Sequence, residues 1–199
     1  MKKLIIASNN KHKIREISEI LEGSGIEILS AGDFKDFPDV EETGATLREN
    51  AVLKARAVWE LYSIPCIADD TGLEVDFLDG APGVYSARFA GEDCSYDDNN
   101  AKLKKLLEGV PLERRTACFK TVIAFIDQYG SLRTAEGKLD GIIAAENRGQ
   151  NGFGYDPLFY VVEKSACLAE LSSDVKNGIS HRGRAVAKIA PIVKKSFKN

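Results

Sequence analysis

The opening residues spell strand, helix, strand. KKLIIA (2–7) is an apolar run of strand length, and IEILSA (26–31) is a second one. Between them KIREISEIL puts Ile14, Ile17, Ile20 and Leu21 on one stripe of a helix expected from about Lys11 to Glu22, with Gly23 at its C′ position. A chain that begins this way and continues to alternate is committed to an α/β fold.

The alternation does continue. After an acidic loop, DFKDFPDVEETG, the segment TLRENAVLKARAVWELY offers Leu47, Ala51, Val58 and Leu61 as the inner face of a helix. PCIADDTG reads as a short strand that breaks into a turn at Gly72, and DGAPGVYSARFAG as a Gly/Pro-punctuated loop too long and aromatic to be a mere connector. Ser95 caps a helix carrying Leu103, Leu106 and Leu107 and closed by Gly109. TACFKTVIAFID and SLRTAEGKLDGIIAA alternate at period two around YGS, a hairpin. GRAVAKIAPIVKKSF is a last helix that Pro191 should kink or interrupt. The expectation is one α/β domain over residues 1–199, or one domain with two lobes, built on a mixed β-sheet flanked by helices.

Composition narrows the partners. A net charge of −3 argues against general nucleic-acid binding, so any anion site must be a local cluster of Lys and Arg. The cysteines Cys66, Cys94, Cys118 and Cys167 never form CxxC, which removes a zinc or redox signature. LIIA is too short for a signal-peptide core and no apolar run reaches membrane-span length. A cytoplasmic setting with reduced thiols, away from membranes, is the expectation.

Four stretches carry chemistry. SNNKHK (8–13) leaves the first strand through Ser8, Asn9 and Asn10 and enters the helix with Lys11, His12 and Lys13, although the helix dipole prefers acidic residues there. Basic residues at that position suit an anion held at the same helix start; a capped helix with solvated lysines is the plainer alternative. Glu41-Glu42 in a loop and Asp69-Asp70 at a strand end are like charges that a cation would relieve, and oxygen ligands of this kind hold Mg²⁺; either pair alone also reads as an acidic loop or turn cap. Glu49 is a candidate to join them, since Asn50 and Lys54 share one helix face at i, i+4. NGFGYDP (151–157) sets Phe153 between Gly152 and Gly154, so the backbone can pass close to a flat ligand, with Phe153 and Tyr155 as ring faces and Asp156 as a carboxylate. As a fourth, KNGISHRGR (176–184) gathers Lys176, His181, Arg182 and Arg184 where the last helix begins. Two basic helix starts in one acidic protein favour a polyanion such as a triphosphate.

Taken in order, SNNKHK, EETG with ENAVLKAR, IADDTGLEVD, GAPGVYSARFAGE, GFGYDP and ISHRG resemble the inosine triphosphate pyrophosphatase family, the Ham1-like non-standard purine nucleoside triphosphate pyrophosphatases. The resemblance implies an elongated mixed sheet with helices in two lobes around a central substrate cleft, usually in a homodimer. It implies hydrolysis of ITP, dITP or XTP to the monophosphate and pyrophosphate, with Mg²⁺ as cofactor and Mn²⁺ as an alternative. By resemblance Ser8, Asn9, Asn10, Lys11, His12 and Lys13 bind the triphosphate, and Asp70 is proton acceptor and metal ligand together with Glu41 or Glu42. Lys54, Thr71, Phe153, Gly154, Tyr155, Asp156, Lys176, His181 and Arg182 match substrate-binding positions. The chain departs from the pattern at Asn9 and Asn151, where the family often has Gly, and Asn9 is expected to tolerate a left-handed backbone.

Water would attack the α-phosphorus, oriented or deprotonated by Asp70. His181 and Arg182, or backbone N–H groups beside them, would donate to a 6-oxo purine and leave adenine unmatched. Phe153 would stack on the base without choosing between purines. Two other readings remain: a Maf-like nucleotide pyrophosphatase of different base specificity, and a non-catalytic nucleotide sensor.

Overall fold

Residues 2–197 are described by a computed structural model. Its first elements are β1 (Lys3–Ile6), α1 (Lys11–Leu21) and β2 (Glu27–Leu29). β1 lies parallel to β2 on one side and parallel to β3 (Cys66–Val75) on the other, the pairing that helical crossovers permit. β4 (Pro82–Gly83) pairs antiparallel with β3. β5 (Thr116–Ile126) and β6 (Leu132–Ile143) are sheet neighbours joined by the expected short turn, and β7 (Phe159–Val161) and β8 (Ala166–Cys167) extend the sheet antiparallel. The result is a mixed eight-stranded sheet in the order β2-β1-β3-β5-β6-β7-β8, with β4 off that path. Its helices are α1, α2 (Leu47–Tyr62), α3 (Tyr96–Leu106), α4 (Ser173–Ile179) and α5 (His181–Ser196).

The chain divides into two compact units. One comprises residues up to Asp70, Thr121–Gly137 and the segment from His181 onward; the other comprises Thr71–Lys120 and Lys138–Ser180. In the first unit, strand alternation sorts the core onto two faces. Leu4, Ile6, Ile67, Ile123 and Phe125 pack with Ile17 and Leu21 of α1 and with Val186, Ile189 and Val193 of α5. Ile5, Cys66, Ala68, Val122 and Ala124 pack with Ala51, Ala55 and Val58 of α2. Small residues on α2 let it sit close to the sheet, while Leu61, expected on the inner face, is 56% exposed. α5 runs unbroken through Pro191, contrary to expectation. Pro191 and Ala187, whose carbonyl loses its donor, are both exposed, so water can serve the orphaned oxygen. Gly137 on β6 lets the start of α5 approach, since a Cβ there would lie 1.9 Å from the His181 carbonyl oxygen.

In the second unit, Leu73, Leu103, Leu107, Phe119, Leu139, Leu158 and Phe159 form one core. Ser95 does cap α3, its hydroxyl accepting from the Asp98 amide while the Asp98 carboxylate accepts from the Ser95 amide. Leu106 turns outward at 44% exposure, leaving Leu103 and Leu107 as the buried positions.

Candidate active site

β3 does not break at Gly72; it continues to Val75, which places Asp69 and Asp70 inside the strand rather than at its end. Consecutive strand residues face opposite ways, so the two carboxylates enter different surroundings. Asp69, on the face with Ile67, meets Lys13 of α1 at 3.1 Å and the Arg182 guanidinium of α5 at 3.3 Å (Nε) and 3.2 Å (Nη2). Asp70, on the face with Ala68, accepts from Lys54 of α2 at 2.8 Å and more weakly from the Asn50 amide at 3.5 Å. Buried charge of this kind persists only when paired, and these partners are why the strand survives two consecutive aspartates.

Their protonation is pushed in opposite directions. Burial alone would raise the Asp69 pKa, but Lys13, Arg182 and Lys54 outweigh it and hold the carboxyl well below the usual range. At Asp70 burial is the largest influence and prevails over the attraction of Lys54 and Lys13, helped by repulsion from Glu42, so its pKa is raised. Adjacent carboxylates with divergent affinities for protons are the usual mark of divided acid–base roles. Burial lowers the Lys13 pKa despite Asp69. Lys54 also suffers burial, yet Asp70, Asp69 and Glu42 together raise it.

Glu42, not Glu41, shares a partner with Asp70: Lys54 donates to Glu42 at 2.8 Å as well. Glu41 is exposed. Glu49 does not join the cluster, because its carboxylate accepts from the Ala45 and Thr46 amides in the N-terminal capping box of α2. Asn50 instead links the acidic loop to α2, its side-chain oxygen accepting from the Gly44 amide at 2.7 Å.

In the first turn of α1 the backbone amides are partly engaged. Asn10 caps the helix, accepting from the His12 and Lys13 amides, and the Ser8 hydroxyl accepts from the Asn10 amide. Asn9 and Lys11 are exposed, and Asn9 is not left-handed. No acidic residue occupies the first turn of α1 or of α5.

Arg182 is 1% exposed, and besides Asp69 its Nη1 donates to Glu16 of α1. Arg182, read in the sequence as a donor to the base, has its guanidinium paired here with the Asp69 and Glu16 carboxylates. KNGISHRGR is also not one helix start, since Lys176 lies on α4 while the buried His181 and Arg182 open α5.

The second unit holds a separate constellation. Asp156, 3% exposed, accepts from the Phe153 amide at 2.8 Å and from Lys176 at 2.5 Å. Lys176 lies 5.0 Å from the centre of the partly exposed Phe153 ring, and Tyr96 is a tilted neighbour at 5.9 Å. Gly152 is required here, with φ of +75° and a Cβ position 2.1 Å from Asp156 Oδ2. Gly154 also has positive φ, and its carbonyl accepts from Asn100 at 2.9 Å. Tyr155 is not a stacking face: its ring is 5% exposed and its hydroxyl donates to the Ser86 carbonyl, so burial raises its pKa. Thr71 is half-buried, two residues before Leu73, whose amide donates to the Ser86 hydroxyl.

Cys66, Cys118 and Cys167 are buried thiols pushed up by burial to about 12, 11 and 11, which leaves no thiolate nucleophile among them. Sequence reasoning missed Asp69 as a partner of both basic helix starts, and missed Glu16. Strand alternation through 66–70 carried the first signal; Glu16, three residues after Lys13, sits at the edge of the apolar stripe and carried little.

Residues 4–192 match the model of the Ham1 family. A dITP/XTP pyrophosphatase of Desulforamulus reducens is 51% identical over 195 residues, 98% of this chain and 97% of that protein. One from Thermoanaerobacter sp. is 54% identical over 187 residues, 94% of each. Among solved structures, a HAM1 protein from Coxiella burnetii superposes with a TM-score of 0.87 at 38% identity, covering 98% of this chain and all 100% of that one. The Staphylococcus aureus Ham1 protein gives 0.86 at 39%, covering 98% and 99%.

Proposed function

The chain belongs to the Ham1 family, and from that premise we propose that it hydrolyses the non-standard purine nucleoside triphosphates ITP, dITP and XTP to the nucleoside monophosphate and pyrophosphate. The observation that carries the reading is the split of Asp69 and Asp70 across β3: one carboxylate is neutralised by fixed cations, the other keeps a raised proton affinity. Asp70 is then suited to orient water and take its proton, because a base gains strength as its pKa climbs toward the working pH. Lys13 and Lys54 supply positive charge for the triphosphate, and Asp69 and Arg182 fix the framework on which Lys13 sits. Phosphoryl transfer depends mostly on such positioning and electrostatics.

Asp70 and Glu42 are the residues that would hold a divalent cation. They fit one: both already bind a single ammonium, Lys54, as a stand-in cation. Among the described residues no group of three or more His, Cys, Asp or Glu is arranged for metal, so water and phosphate oxygens would have to complete the set, as Mg²⁺ accepts. Mn²⁺ accepts the same oxygens. When bound, the ion would disperse negative charge on the phosphates.

For the base, the reading takes Phe153, Gly154, Asp156 and Lys176 as the stacking platform and its support. It takes His181 and backbone amides near it as donors to the 6-oxo group, with Ser8, Asn9, Asn10, Lys11 and His12 at the phosphates and Thr71 beside Asp70. It includes homodimeric assembly and a cytoplasmic setting. Unpaired cysteines support the last of these, and no described helix is long and apolar enough to cross a membrane.

Pyrophosphate release from ITP, dITP, XTP, GTP, ATP, UTP and dTTP tests the proposal. ITP, dITP and XTP should exceed ATP by at least ~10²-fold in kcat/KM, the scale set by a buried donor left unmatched. Equal turnover of ATP, or preference for a pyrimidine, would contradict it.

A further inference from the structure

Lys54 stands where the reaction's cation belongs. Its Nζ is 2.8 Å from Glu42 Oε1 and 2.8 Å from Asp70 Oδ1, and the three side chains are 14%, 27% and 6% exposed. Neither carboxylate is brought there by the lysine alone. Asp70 is fixed in the middle of β3. The loop carrying Glu42 is tied to α2 through the Gly44 amide and Asn50, and α2 is itself fixed by its capping box. A frame for a divalent ion is therefore built into the first unit with an ammonium in it. The ammonium satisfies both carboxylates, and a divalent ion repelled by it cannot use the same two oxygens at once.

The neighbouring cations do not share this position. Lys13 and Arg182 are engaged by Asp69, and Arg182 by Glu16 as well. Unlike Arg182, Lys54 carries its charge as an ammonium on a flexible four-carbon stem at the end of a half-buried reach from α2, and unlike Lys13 it bridges Glu42 and Asp70, so it can be drawn off by a stronger anion without unpacking the helix.

We propose that Lys54 keeps the divalent-cation site closed in the nucleotide-free protein and opens it by moving its ammonium from Glu42 and Asp70 to the incoming triphosphate. Metal and nucleotide then bind as a coupled pair instead of metal being resident. The inference rests on the assignment of Asp70 and Glu42 as ligands made under Proposed function. Linkage makes the coupling reciprocal: whatever factor the displaced lysine adds to metal affinity in the presence of nucleotide, it adds to nucleotide affinity in the presence of metal.

The test is Mn²⁺ binding to nucleotide-free protein, followed by the EPR signal of free Mn²⁺. Lys54→Met should bind Mn²⁺ at least ~10-fold more tightly than wild type, a modest coupling by the usual scale. Lys54→Arg, which keeps the charge, should stay as weak as wild type. Lys54→Gln repeats the measurement should the Met variant fold poorly by circular dichroism. Adding Asp70→Asn to Lys54→Met should abolish the gain. Equal Mn²⁺ affinity in wild type and in the Met and Gln variants overturns the proposal, as does a gain that survives Asp70→Asn. These affinities are read without turnover, so failure of ITP hydrolysis would sink the functional reading while leaving this outcome separately legible.

Discussion

Two adjacent aspartates look equivalent in a string of letters, and the strand makes them different. Asp69 is held as an anion by Lys13 and Arg182, while burial raises the proton affinity of Asp70, the feature on which its proposed role as base rests. Replacing Asp69 with Asn leaves the buried Arg182 and the half-buried Lys13 short of a counter-charge, which should cost about 3 kcal/mol near neutral pH. The sign with pH follows from its depressed folded pKa. Its stabilising contribution is complete above the unfolded carboxylate value of about 4 and is lost as pH falls toward the lower folded value. Urea midpoints for wild type and Asp69→Asn should therefore lie well apart near neutrality and converge in acid. A gap that widens in acid would contradict the pairing. The acidic pair was legible after its apolar run, but the role expected of Asp70 came from the ordered motifs and not from the pair itself. Arg182's confinement was not legible, because nothing local to ISHRG announces Glu16, 166 positions away.

At the scale of elements, the helices serve as carriers of cations. α1 presents Lys13, α2 presents Lys54, and α5 presents Arg182, and the two faces of β3 receive them. Periodicity made α1, α2 and the β5–β6 hairpin readable, since an amphipathic stripe or a period-two run reports directly on burial. It misplaced the end of β3, because Gly72 and the two aspartates look like a turn until their distant partners are known. It also could not foresee that Pro191 lies on a wet face of α5, where its missing N–H costs little. The close approach of β6 to α5 at Gly137 gives a further check. Gly137→Ala would push a methyl into the His181 carbonyl and the Ala185 amide, 1.9 and 2.6 Å away, and should lower stability by about 3 kcal/mol with a matching fall in Tm. An unchanged Tm would show that α5 does not start against β6 as described.

Over the whole molecule, the two units carry different sets of polar side chains. The first gathers alternating cations and carboxylates; the second presents Phe153 on a glycine-flanked loop locked by Asp156 and Lys176. That division was visible in the sequence only as an ordered set of motifs. Their sorting into separate units depends on strands passing from one unit to the other, which composition does not report. In the proposed reaction, water attacks the α-phosphorus of a 6-oxo purine nucleoside triphosphate. Hydrolysis of ITP in ¹⁸O-labelled water, with both products examined by mass spectrometry, tests it directly. The label should enter inosine monophosphate and be missing from pyrophosphate. Label in pyrophosphate, or release of orthophosphate and inosine diphosphate, would contradict the account.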